Sequence, residues 1–329
     1  MVQTVYNQHH DPPPSLTSDC RALDIDVRDI RAGILQTIAY SDLFDYPLTV
    51  HEIHRYLVGV QATFEDVQHC LRDETLVPRY LSRQSGYFCL TGRESIVQTR
   101  LRRAGISARL WRKATRYGWL IATLPFVRMV AVTGTLAVDN AEARDDIDYL
   151  IITEPNRLWL VRSLVIGVVY VGRLERLEIC PNYLIASNAL QQFDRSLFTA
   201  HELAQMIPLY GPDMYRQLLQ ANAWARCFFP NAFHTQTPTR LLTIPALPKR
   251  AAERTLGGQL GNRWEARIQG RKIPQLQARA HAVGATSAVF TPQQCKGHLA
   301  DHGHQITQQY AERIHKNQDP GTQGDPREH

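Results

Sequence analysis

Residues 126–153 read FVRMVAVTGTLAVDNAEARDDIDYLIIT, and the fold is decided there. Val127 to Val132 is an apolar, β-branched run that predicts a strand. It ends in Thr133-Gly134-Thr135, a turn of small residues. Residues 136–145 separate this turn from Asp146-Ile147-Asp148, which runs directly into the apolar Tyr149-Leu150-Ile151-Ile152. Side chains on a strand alternate faces, so Asp146 and Asp148 point to one side and Ile147 and Tyr149 to the other. Two carboxylates side by side repel each other unless a divalent cation lies between them.

With these residues in place, the stretch resembles the motif of DNA-polymerase-β-like nucleotidyltransferases. That family shows Gly-Ser or a close variant, a short gap, and Asp-x-Asp on an apolar strand. Thr135 stands where Ser is commoner and keeps the hydroxyl, and a third acid, Asp145, precedes the pair. The resemblance covers residues 126–185. It implies metal-dependent transfer of a nucleoside monophosphate from an NTP, ATP among them, to a hydroxyl acceptor. Asp146 and Asp148 would hold Mg²⁺ or Mn²⁺, and Gly134 and Thr135 would hold the triphosphate. The chemistry agrees with the residue types. Phosphoryl transfer needs positioning and charge neutralisation, and a carboxylate pair suits Mg²⁺. A Gly-Thr turn offers backbone N–H groups and a hydroxyl to phosphate.

The resemblance also implies a third carboxylate on the next strand, read at Leu177–Ile185 after a crossover helix over 155–169. Glu178, Cys180, Asn182 and Leu184 share one face of that strand. Glu178 is the first choice for a catalytic third acid, Asn182 the second and Asp194 the third. Pro181 predicts an edge strand.

Upstream, residues 1–26 read as a flexible polar arm with three consecutive prolines. Residues 27–93 predict three short helices and a β-hairpin, an order that resembles a winged-helix domain. Thr49-x-x-Glu52 is a capping box and Thr63 caps the third helix. That helix carries Glu65, Asp66, Asp73 and Glu74 against Arg72, a face that phosphates would repel. DNA is therefore disfavoured as a partner, and a packing module is preferred. The motif lies outside this domain, so nucleotide binding is expected to be independent of it. Residues 94–124 predict a basic connecting helix, or two broken near Gly105 or Gly118. Its arginines read mainly as a solvated face, the sharper reading being that some line the approach of an anionic substrate.

Downstream, residues 194–230 predict helices, with a possible cap at Thr199-Ala200-His201-Glu202. His201 reads as a packed surface histidine rather than a support for the site. Residues 231–329 predict a helical extension, with helices over 251–268 and 292–314 and a disordered tail. His298, Asp301, His302 and His304 have metal-compatible spacing but are read as incidental.

The fold expected is α+β: a nucleotidyltransferase core over 125–230, built as a short mixed sheet with helices, between a winged-helix-like domain and a helical extension. Apolar content of 44% supports a sizeable core, and no run is long enough to span a membrane. The six scattered cysteines and the absence of a secretory leader pattern predict a reduced, cytoplasmic protein. A net charge of +6 is compatible with an NTP and with a small-molecule, RNA or protein acceptor, without selecting one. The alternative is a winged-helix regulator or nucleotide sensor with a degenerate nucleotidyltransferase domain.

Overall fold

The computed structural model describes residues 29–233, 240–285, 288–297, 306 and 308–313. The polar arm over residues 1–26, the His298–His304 cluster and the tail lie outside the described residues. The described residues form a mixed α+β structure with one three-stranded and one six-stranded sheet.

The N-terminal unit opens with α1 (Ile30–Asp42), whose first turn is closed by the Asp29 side chain accepting from Arg31 N–H. β1 (Leu48–Thr49) leads into α2 (Val50–Arg55), and Thr49 and Glu52 form the reciprocal cap that the sequence predicts. The same device, Thr63 with Asp66, starts α3 (Phe64–Cys70). β2 (Leu81–Gln84) and β3 (Tyr87–Leu90) form a hairpin through Ser85 and Gly86, both at positive φ as a tight hairpin turn demands. The sheet order is β1-β3-β2. Ile34, Ile38, Ile53, Leu57, Val67 and Phe88 fill the core of this unit.

α4 (Ile96–Thr123) is one helix of 28 residues, unbroken at either glycine. A Cβ on Gly118 would lie 2.5 Å from Leu209 Cδ1, so this glycine marks close packing rather than a break. Its arginines tie elements together. Arg100 pairs with Glu52, Arg102 and Arg103 with Glu142, and Arg116 with Glu175.

The large sheet begins with β4 (Val127–Val132), a one-turn helix α5 (Gly134–Ala137) and β5 (Ile147–Thr153). α6 (Leu158–Leu174) crosses over to β6 (Ile179–Ala186). α7 (Leu197–Gln205), β7 (Ile207–Tyr210), α8 (Pro212–Ala221) and α9 (Ala225–Phe228) follow. Then come α10 (Ala246–Gly257), α11 (Gln259–Ala282), β8 (Val289–Phe290) and β9 (Gln294–Lys296). The strand order is β7-β4-β5-β6-β9-β8. β4 and β5 are antiparallel, while β5 and β6 are parallel, as a helical crossover requires.

β5 sits centrally and is covered on both faces. Ile147, Tyr149 and Ile151 join a cluster with α4 and α6, while Leu150 and Ile152 join one with α7 and α9. The second cluster includes Tyr56 and Val58, which dock the N-terminal unit on the sheet.

Several expectations are corrected here. Residues 207–210 form an edge strand, not helix, because Ile207–Tyr210 completes the ladder on β4. The C-terminal extension is not purely helical, since residues 294–296 are β9, paired with β6. β6 is interior despite Pro181. β9 pairs only with Tyr183–Ile185, so Pro181 lies ahead of the stretch that needs donors on that side. Cys70, Cys89, Cys180 and Cys295 are free thiols, whereas Cys227 is disulfide-bonded, a departure from a fully reduced set. Among the described residues no helix is long and apolar enough to cross a membrane.

Candidate metal and nucleotide site

The antiparallel pairing of β4 and β5 brings the Gly-Thr turn to the acidic end of β5. Thr133 N–H donates to the Asp148 carbonyl at 3.0 Å. Gly134 follows at φ +66°, and a Cβ there would lie 2.6 Å from Asp148 Oδ2. Only glycine lets the turn lie against that carboxylate without moving it. Thr135 Oγ1 donates to Asp145 Oδ2 at 3.1 Å, and the same oxygen accepts from Glu142 N–H. Asp145 therefore shapes the loop.

Asp146, Asp148 and Cys180 come together, with candidate ligand atoms all within 4.8 Å of one another. Cys180 is the parallel register partner of Asp148. Asp148 Oδ1 is buried and has no hydrogen-bond partner among the described residues, and the Thr133 hydroxyl is in the same condition. Burial pushes the Asp148 carboxyl up to about 8, with Asp146, Glu202 and Asp145 adding to the effect. The Cys180 thiol donates to it and pulls the other way. Burial and the same two carboxylates raise the Cys180 thiol far above its ordinary range. A buried carboxylate oxygen with no donor among the described residues and three acids nearby is an arrangement that a cation would relieve. The donor set suits a divalent ion.

Beside the cluster lies a cavity of about 940 Å³. Gly134, Thr135 and Asp148 line it, as do Asn182 from β6, Glu202 from α7 and Lys296 from β9. Lys296 is the one Lys or Arg among the described lining residues, so no arginine of α4 is in the wall. The opposite wall is aromatic and comes from the N-terminal unit, through Tyr40, Phe44 and Tyr56. That unit therefore forms part of the cavity wall, although the motif itself lies outside it.

The three alternatives for the third group separate. Glu178 precedes β6, its carboxylate is 64% exposed, and Arg173 lies 3.8 Å away. It is neither in the cluster nor among the described lining residues. Asn182 lines the cavity. Asp194 also lines it, but accepts from the Ser196 and Thr199 hydroxyls at the start of α7. Glu202 was not singled out for this role in the sequence. Burial pushes its carboxyl up to about 6, and Lys296 opposes that shift. An acid between Ala200, Leu203 and Ala204 on a largely apolar helix was the available signal. His201 is buried rather than on the surface. Its ring stacks on Tyr40 at 3.9 Å between centroids, and desolvation holds its pKa down to about 3.

Comparisons with protein-family models, with curated proteins and with solved structures return no significant match.

Proposed function

We propose that the protein is a metal-dependent nucleotidyltransferase of the DNA-polymerase-β-like kind, moving a nucleoside monophosphate from an NTP to a hydroxyl acceptor. One observation carries this reading: the Gly134 backbone lies against Asp148, beside Asp146, at the wall of a cavity large enough for a nucleotide. Asp146 and Asp148 would hold the metal, which when bound would neutralise phosphate charge and polarise the reacting oxygens. Gly134 and Thr135 would present backbone N–H groups to the triphosphate, with Lys296 as a nearby cation. Glu202 would take the proton from the acceptor hydroxyl at its carboxylate, its raised pKa suiting a base near neutral pH. Glu178, outside the cluster and the described cavity lining, is not given that role. The aromatic wall of the N-terminal unit would exclude water and offer a stacking surface.

A second reading, a nucleotide-binding regulator, is favoured by one feature: a thiol rather than an acid stands beside the Asp pair. Incubation with each NTP, Mg²⁺ or Mn²⁺ and cell extract, followed by pyrophosphate assay, separates the two. Metal-dependent release supports the enzyme. Metal-dependent NTP binding without release supports the regulator, and no NTP binding removes both.

A further inference from the structure

We propose that Cys180 is a metal ligand, and that the Asp146–Asp148–Cys180 cluster selects a thiophilic divalent ion of the zinc type over magnesium. The inference rests on the reading of the Asp pair as a metal site, but not on nucleotide transfer.

The first argument is position. Cys180 faces Asp148 across the parallel β5–β6 ladder, and the three candidate atoms lie within 4.8 Å. In a tetrahedral zinc site, with Zn–S of about 2.3 Å and Zn–O of about 2.1 Å, ligand atoms lie about 3.5 Å apart. Asp148 and Cys180 are register partners in one sheet and Asp146 directly precedes β5, so all three are carried at one place on the fold.

The second argument is the state of the groups. Asp148 Oδ1 is buried and no donor among the described residues reaches it, so the chain itself does not satisfy this oxygen of the cluster. Cys180 is a free thiol. It also stands outside the apolar clusters, unlike Cys295, which packs among Trp159, Leu184 and Phe290. Cys295 behaves as a small hydrophobic residue, whereas Cys180 has the two carboxylates as its partners.

The third argument is ion chemistry. Magnesium demands oxygen ligands and would engage only the two carboxylates, leaving the thiol as a bystander. Zinc and cadmium accept sulfur, and sulfur ligands are what distinguish their sites from magnesium sites. Binding balances simply: the Cys180 S–H bond breaks, a sulfur–metal bond forms, and the proton passes to solvent without redox change. Two carboxylates and one thiolate leave a fourth position open, the arrangement of catalytic rather than structural zinc. Of the three, Asp148 lines the cavity.

The test is a cadmium chloride titration of the full chain after chelator treatment, read by thiolate-to-cadmium charge transfer in the ultraviolet. Wild type should take up one cadmium ion with this signature. Zinc should displace it, and a large excess of magnesium should not. Cys180→Ser and Asp148→Asn should each lose the band and weaken binding at least tenfold, roughly the size of losses seen even for groups behind the ligands. Cys70→Ser, which alters a thiol outside the cluster, should leave it unchanged. If Cys180→Ser fails to fold by circular dichroism, Cys180→Ala serves the same comparison. A band that survives in the folded Cys180 variant overturns the proposal, and so does displacement by equimolar magnesium. These outcomes are distinct from failure of the transfer reading, which would show as absent pyrophosphate release with the cadmium signature intact.

Discussion

Glu52 and Asp148 are both carboxylates withdrawn from solvent, yet they are built in opposite ways. Glu52 receives four donors. Arg100 Nη2 (2.6 Å) and the Tyr46 hydroxyl (3.0 Å) bind one oxygen, and the Thr49 N–H and hydroxyl (both 2.8 Å) bind the other. Burial pushes its carboxyl up, but Arg100 and the Thr49 donors outweigh that and hold it below its ordinary value. Asp148 has a buried oxygen with no donor, further acids nearby and a carboxyl near 8. The first arrangement is satisfied by the chain itself and joins α2, β1 with the residue Tyr46 ahead of it, and α4. The second is incomplete, and a complete protein interior rarely leaves such a group unmatched. The difference separates a carboxylate that holds the fold from one that awaits a ligand.

The comparison can be broken experimentally at either end. The largest effect is expected at Asp148→Asn, which should lower nucleotidyl transfer by at least ~10³-fold, the scale of several kcal/mol of lost metal stabilisation. The same variant should melt no lower than wild type in chelator above about pH 8, where it removes a carboxylate that is ionised, buried and repelled by its neighbours. A clear loss of thermal stability would place Asp148 with Glu52 instead. Next comes Arg100→Met, which strands a buried charge. It should destabilise the fold by about 3–5 kcal/mol in denaturant titration. A cost near zero would mean that Glu52 is not held as described.

A smaller loss is expected at Lys249→Met. The Lys249 ammonium donates to the Ala122 and Val127 carbonyls at 2.8 and 2.7 Å and lies over the Tyr210 ring. Unpairing these carbonyls should cost about 1–3 kcal/mol in the same assay.

The mildest test is pH, where each group's gradient is at most ~1.4 kcal/mol per unit. Glu52 has a lowered folded pKa, so its contribution is present above its unfolded value near 4.3 and lost as pH falls through the folded value. Asp148 has a raised one. The folded state holds the extra proton between about pH 4 and 8, so its contribution is present at low pH and lost as pH rises through about 8. Melting in chelator across this window should show wild type losing stability relative to Asp148→Asn as pH rises. Parallel curves would remove the raised carboxyl from the account.

Local features were legible in the sequence. The caps at Thr49 and Thr63 depend on residues three apart and need no tertiary knowledge. Strand parity predicts a shared side for Asp146 and Asp148, and their carboxylates do come together, although Asp146 directly precedes β5 rather than lying on it. Depth along a strand is another matter. Glu178 and Cys180 have the same parity, but only Cys180 lies beside Asp148, because register decides which residue faces the pair. Ile207–Tyr210 was read as helix because Leu203, Met206, Ile207 and Leu209 also suit helical spacing, and a four-residue strand has too little pattern to compete. The aromatic wall around Tyr40 was invisible because it arises from docking of one unit on another. Gly118 misled as a helix break because its reason, contact with Leu209, lies far away in the chain.

The late arrival of β9 has a consequence for biosynthesis. β6 leaves the ribosome with β5 already made, but its other edge pairs with Gln294–Lys296. At translation rates of roughly 5–20 residues per second, the intervening chain takes on the order of ten seconds to appear. During that interval the nascent protein carries an uncovered, apolar strand edge at Tyr183–Ile185, the kind of surface that pairs with other chains. Lys296, the one Lys or Arg among the described residues lining the cavity, arrives with the same strand. Closing the sheet and completing the cavity are therefore a single late event, and a nascent chain halted before it would display a sticky edge and a pocket without its positive charge.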